Sequence, residues 1–143
     1  MKHSIINIQL QFSSCKYYFR ADRIYDLEDR LIEFASRIVD VVEALSNTRA
    51  GNYIAGQLVR CGLAPALLYG EAQSAESRDD FIHKMKIVLK ELKETRVCLK
   101  LIIKKQMIKP ASRLDGMKTE CEELIKIISK SIDTARKNKK TRD

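Results

Sequence analysis

The sequence predicts an all-α fold, an antiparallel up-down-up-down four-helix bundle, on three observations. Apolar residues recur at three- and four-residue steps through most of the chain, which places them on one face of a helix. Only 2 Pro and 5 Gly interrupt 143 residues, and 32% of the residues are charged, a composition that suits helices better than sheets. Short polar clusters separate the periodic stretches, as short connections between antiparallel neighbours require.

The N-terminal arm, residues 1–21, is expected to lie outside the bundle. Ile6, Ile8, Leu10 and Phe12 alternate with Asn7, Gln9 and Gln11, the period of a strand. Two readings fit: a loose arm, or a strand that pairs with another copy of the chain. The bundle itself is expected over residues 22–137. Its first helix runs from about Asp22 to Leu45 and carries Leu27, Leu31, Phe34, Ile38, Val41, Val42 and Leu45 on one face. Ser46-Asn47-Thr48 ends it and starts the next.

The second helix spans roughly Arg49 to Ala75. Gly62, Ala66 and Gly70 fall at four-residue steps and are expected to form a smooth stripe that lets another backbone approach. Pro65 removes one N–H and crowds the carbonyl of Cys61, so a kink is expected there, or a break into two helices. Ser77 reads as the N-cap of the third helix with Asp80 as the acid of a capping box. Met85, Val88, Leu92, Thr95, Leu99 and Ile102 form its seam, and Pro110 follows its end near Met107. The fourth helix runs from about Ser112 to Lys137 on Leu114, Met117, Cys121, Leu124, Ile128, Ile132 and Ala135. Residues 138–143 are expected to form a basic C-terminal tail. Ile82, Ile87, Ile125 and Ile127 read as extra apolar surface for a neighbouring subunit.

Charge bounds the partners. The chain carries 27 Lys+Arg against 19 Asp+Glu, a net charge of +8. Such a balance favours anionic partners, RNA or DNA, although it also describes an ordinary solvated basic surface. The sequence has no run of about 18 apolar residues and no signal-peptide core, so a cytoplasmic protein without a membrane span is expected.

Candidate nucleic-acid contacts are Lys100, Lys104, Lys105, Lys109 and Arg113 around the end of the third helix. Arg136, Lys137, Lys139, Lys140 and Arg142 add charge near the C-terminus. No helix-turn-helix or RNP-type motif accompanies them, so weak sequence selectivity is expected. Arg60, Glu71, Lys84, Glu91 and Glu94 read as a structural polar layer between the second and third helices. Glu71→Gln is accordingly expected to lower stability.

No catalytic, cofactor or metal residues are assigned. The sequence holds only His3 and His83, and the grouping of Asp79, Asp80 and His83 has no counterpart on a second helix, as a di-iron bundle would need. Cys15, Cys61, Cys98 and Cys121 match no zinc spacing and read as reduced, partly buried thiols. The chain carries no nucleophile–base constellation, Gly-rich phosphate loop or G-x-S-x-G turn, so no enzyme is expected.

One stretch is more specific. It reads Gln57-Leu58-x-Arg60, then Glu71-Ala72-Gln73-x-Ala75-x-Ser77, then Asp80-Phe81-x-x-Lys84. It closes with Leu89-Lys90-Glu91-x-x-Glu94-Thr95-x-x-x-Leu99-x-Leu101. In this order and spacing it resembles the four-helix-bundle protein family encoded by intervening sequences of bacterial large-subunit (23S) rRNA genes. The accessory variability proteins of diversity-generating retroelements are similar at greater distance. The resemblance covers roughly Asp22 to Lys137. It implies a homopentamer, a basic surface that contacts nucleic acid, and no established enzymatic activity. It also implies a second possibility, an interaction scaffold for a reverse transcriptase or a ribosome-associated protein. The chain departs from the family pattern between Arg60 and Glu71, where Ala64 and Leu68 replace a polar Ser and Asn. It departs again at Val97-Cys98, where the family carries Tyr-Trp.

Overall fold

The computed structural model describes residues 17–20 and 23–140. Four helices make up most of it: α1 (Leu27–Ala44), α2 (Arg49–Gln73), α3 (Arg78–Lys104) and α4 (Asp115–Lys140). A short 3-10 helix, Ala111–Leu114, leads into α4. Ahead of α1, strands β1 (Tyr17–Arg20) and β2 (Arg23–Asp26) pair antiparallel, with Tyr18 opposite Tyr25 and Phe19 opposite Ile24.

Local chemistry sets the helix starts. The Asp26 carboxylate accepts the Glu28 N–H at 3.1 Å, so α1 begins at Leu27 and not near Asp22. Thr48 Oγ1 accepts the Gly51 N–H at 3.0 Å and opens α2. Ser77 Oγ accepts the Asp80 N–H at 3.1 Å and opens α3. The Asp80 carboxylate reaches back to the Glu76 N–H at 3.3 Å, one residue before the cap, because the shorter acid still spans the turn.

The ends differ from the periodicity by a few residues. α3 stops at Lys104, where the backbone turns through Gln106 at a positive φ of 50°. The apolar repeat cannot register that change, because Met107 and Ile108 continue it into the connection. At the other end of the chain, α4 continues to Lys140, past the helix end expected at Lys137. Pro65 lies inside a continuous α2 and does not divide it in two.

The helices share one core. Leu31, Phe34 and Ile38 of α1 are buried with Met85, Val88 and Leu92 of α3, alongside Leu58, Tyr69, Leu99, Ile102, Leu124 and Ile128. α1 packs on α2 and α4, and α3 packs on the same two helices, so α1 and α3 stand diagonally across the bundle. Neighbouring helices meet in opposite numerical order. Gly51 of α2 sits by Ser46 while Gly62 faces Ile38, and Arg30 of α1 reaches Glu120 and Glu123 while Arg37 lies over Gly116.

The small residues of α2 do not act as one stripe. A Cβ on Gly62 would come within 2.6 Å of Ile38 Cγ2, so this glycine sits where α1 and α2 approach closely. Gly70 faces open space. Each four-residue step overshoots a 3.6-residue turn by about 40°, so two steps carry it about 80° away from the contact side. The isoleucines expected on the surface also divide differently. Ile82 and Ile125 are buried in the core, and Ile87 and Ile127 are half-buried. The large apolar side chains left exposed are Ile32, Val39, Tyr53, Val59, Leu67, Val97 and Leu101.

Candidate nucleic-acid interface

The bundle presents charge in two ways: as ion pairs that tie helices together, and as cations left facing solvent. Two networks tie helices. Arg60 on α2 donates to Glu91 at 3.2 Å and to Glu94 at 2.8 Å on α3, and to Gln57 at 3.1 Å on its own helix. Its hydrogen bond to Glu94, with the nearby Glu91 charge, raises its pKa. The Glu91 side chain is 10% exposed and that of Arg60 53%, so the carboxylate is the buried partner and the guanidinium its lid.

The other residues expected in this layer stand apart from it. Lys84 pairs with Asp80 at 2.9 Å, one turn away on α3. That bond raises the Lys84 pKa and holds the Asp80 carboxyl below its usual range. Glu71 is exposed and bears on Lys84 only through its charge. Arg60 and Glu71 share a helix face in sequence spacing, but the bond that Arg60 makes crosses to α3. Glu71 therefore leaves the group expected to form a buried layer.

The second network was not visible in the sequence. Arg30 on α1 donates from Nε and Nη2 to the two oxygens of Glu120 on α4, at 2.9 and 2.8 Å, and from Nη2 to Glu123 at 2.9 Å. This is a fork-to-fork pair with a third carboxylate oxygen beside it. Burial alone would lower the Arg30 pKa, but the hydrogen bonds and charges of Glu120 and then Glu123 outweigh it and raise the pKa. No local signal marks the pair, because its members are 90 residues apart.

The thiols fill space. Cys61 and Cys121 are fully buried; their Sγ atoms face the carbonyls of Leu58 at 3.8 Å and Leu92 at 3.4 Å. Burial pushes the Cys121 thiol up to about 12. The Cys61 and Cys98 thiols interact across the α2–α3 seam, which lowers Cys61 and raises Cys98. Cys15 and His3 lie outside the described residues. Among the described residues, no group of three or more His, Cys, Asp and Glu side chains has the geometry of a metal site. No helix among them is long and apolar enough to cross a membrane.

Five exposed cations lie together at one end of the bundle. Lys100 and Lys104 on α3, Lys105 and Lys109 in the connection and Arg113 in the 3-10 helix are all exposed. None of the five enters an ion pair among the described residues. Beside them a cleft of about 160 Å³ is lined by Arg37, Asp40, Arg113, Leu114 and Met117, which adds Arg37 to the same corner. Arg136 and Lys137 are exposed near the other end of α4, with Arg136 3.8 Å from Asp133. The backbone of Lys139 and Lys140 belongs to α4, and Arg142 lies outside the described residues.

Sequence reasoning missed three further lysines. Lys86, Lys90 and Lys93 are exposed on α3 and line an open groove of about 450 Å³ with Leu89, Glu94 and Val97. With Lys100 and Lys104 they follow each other at three-, four- and seven-residue steps, a spacing that alone could have marked a single face.

These features define a class: an all-α four-helix bundle with interhelical ion pairs and basic outer surfaces. The chain belongs to the 23S rRNA-intervening sequence protein family, whose family model matches residues 25–130. A similar solved structure is a protein of unknown function from the S23 ribosomal protein family of Bacteroides thetaiotaomicron. It is 32% identical, covers 73% of this chain and 96% of its own, and has a TM-score of 0.68. No curated protein matches the chain.

Proposed function

We propose that this chain is a non-enzymatic, cytoplasmic protein that assembles into a homo-oligomer, a pentamer, and binds RNA through basic surfaces. The observation that carries the binding reading is the corner formed by Lys104, Lys105, Lys109 and Arg113, four exposed cations without an ion-pair partner among the described residues. Cations already held by carboxylates, such as Arg30 and Arg60, have little left to offer a phosphate. These four do, and each phosphate they neutralise releases condensed counterions. Several copies of the corner in one assembly would add avidity for a strand that spans them.

The test is fluorescence anisotropy with unrelated RNA and DNA oligomers over a salt series. Log affinity falls with log salt by about 0.7 to 0.9 per phosphate contact, with little dependence on sequence. Replacing Lys105, Lys109 and Arg113 with Ala lowers affinity for all oligomers alike and flattens that slope. Absence of binding at low salt by the assembled protein removes this reading. It would favour the second one, an interaction scaffold for a protein partner such as a reverse transcriptase or a ribosome-associated factor. Exposed Tyr53 and Leu67 on α2 favour that alternative, since large apolar side chains facing solvent suit a protein partner better than a phosphate backbone.

A further inference from the structure

Two faces of the bundle carry matching apolar centres and opposite charge. On α1 the exposed charged residues are Glu28, Asp29, Glu33, Asp40 and Glu43, all acidic. The two arginines of this helix are turned elsewhere: Arg30 is held by Glu120, and Arg37 lies over Gly116. Within the acidic face, Ile32 is 52% and Val39 39% exposed, seven residues apart on one side of the helix.

On α3, after Asp79 and His83 in its first turns, the fully exposed charged residues are lysines, Lys86, Lys90, Lys93, Lys100 and Lys104, with one half-buried acid among them, Glu94, 4.0 Å from Lys90. Within that face Val97 is 61% and Leu101 42% exposed. The acidic face of α1 is about 22 Å long and the docking stretch of α3, Lys86 to Lys100, about 21 Å, at 1.5 Å per residue.

We infer that the acidic α1 face of one copy docks on the basic α3 face of the next, with Ile32 and Val39 packed against Val97 and Leu101 and the carboxylates alongside the lysines. This rests on the homo-oligomer reading above and gives that assembly a specific interface. Nucleic acid could account for the lysines of α3, but not for the acidic face that surrounds Ile32 and Val39, because a phosphate backbone is repelled there. A second copy of the chain accounts for both faces at once, by charge complementarity at the rim and apolar contact at the centre.

The fold also sets the symmetry. α1 and α3 stand diagonally, so their outer faces point to opposite sides of one bundle. The contact is therefore head-to-tail, which repeats into a closed ring or an open filament and does not stop at a two-fold dimer. Lys104 at the end of α3, with Lys105 and Lys109 beyond it, stays outside the contact and free for nucleic acid.

Charge reversal on the full chain tests the interface, read by sedimentation velocity at moderate salt. One variant carries Glu33→Lys, Asp40→Lys and Glu43→Lys; a second carries Lys86→Glu, Lys93→Glu and Lys100→Glu; a third carries all six changes. Each triple reversal raises the assembly dissociation constant at least tenfold, and the six-fold variant recovers wild-type assembly because both faces change sign together. Circular dichroism establishes that each variant keeps its helices. If a triple reversal loses helicity, the single changes Ile32→Lys and Val97→Glu take its place and weaken assembly to the same degree. A monomeric wild type would remove the oligomer reading and this interface with it. An assembled wild type whose size ignores the reversals overturns the interface and leaves the oligomer reading standing. Triple variants that dissociate without recovery in the six-fold variant overturn the pairing of these two faces.

Discussion

Arg30 grips both carboxylate oxygens of Glu120 at 2.9 and 2.8 Å, joining the first helix of the bundle to the last. The Arg30 side chain is 10% exposed and that of Glu120 22%, so the pair lies between a surface ion pair and a buried one. Surface pairs contribute about 0–1 kcal/mol, and breaking a buried one costs about 3–5 kcal/mol. Arg30→Ala is therefore expected to cost about 2–3 kcal/mol in urea unfolding. Arg30→Lys is expected to recover less than half of this, because an ammonium cannot reproduce the two parallel bonds. Equal stability of the lysine variant and wild type would show that the fork geometry contributes nothing.

The two glycines of α2 predict opposite signs. Gly62→Ala places a methyl group within 2.6 Å of Ile38 Cγ2, on a β-branched side chain with little room to move. Overpacking of this kind costs about 1–3 kcal/mol, against which alanine regains about 1 kcal/mol of helix propensity. Gly70→Ala meets open space and keeps only the gain. Thermal melts should thus fall for Gly62→Ala and rise for Gly70→Ala.

Glu91 and Glu71 separate in the same manner. Glu91→Gln puts a neutral acceptor at the buried end of the Arg60 contact, while Glu94 still holds Arg60 at 2.8 Å, and is expected to lower stability more than Glu71→Gln does. Glu71 is exposed, and Glu71→Gln is expected to change stability by less than about 0.5 kcal/mol. Chemical denaturation of the two variants side by side checks this, and comparable losses would return Glu71 to the buried layer.

Alkaline pH should act through Cys121. Its thiol is pushed up to about 12 in the fold from an ordinary 9.0, so the folded state holds its proton after the unfolded chain has lost it. A raised value contributes stability that is fully present below pH 9 and is lost as pH rises toward 12. The slope from this one group is at most about 1.4 kcal/mol per pH unit. Measured as a difference from Cys121→Ala, the wild-type advantage should be flat below pH 9 and shrink above it. A difference that stays constant to pH 11 would mean that the thiol ionises normally in the fold.

The two salt networks show how far sequence reading reached. Arg60 and its acids were legible as a group because each stands near a recognisable helical face, yet Lys84 and Glu71 were grouped with them on spacing alone. Periodicity gives the side of a helix on which a residue lies; it does not give the height at which a neighbouring helix passes. Lys84 found Asp80 one turn away, and Glu71 ended in solvent. The basic corner from Lys100 to Arg113 was legible because five cations and no acid fall within that stretch, a local pattern. Lys86, Lys90 and Lys93 escaped because other charged and apolar residues of the same helix lie between them in sequence.

By itself the sequence determined four helices, the caps at Thr48 and Ser77, and a core that includes Leu31, Phe34, Ile38, Met85, Val88 and Leu92. These follow from a 3.6-residue period and from hydrogen bonds a few residues long, both of which are written locally. Tertiary structure alone decided that Arg30 meets Glu120, that Gly62 and not Gly70 lies in a close contact, and that Ile82 is buried while Leu67 and Val97 face solvent. Those outcomes depend on how each helix is rotated and how high it sits against its neighbours. Packing of the whole core fixes that, since no single helix can bury its apolar face alone.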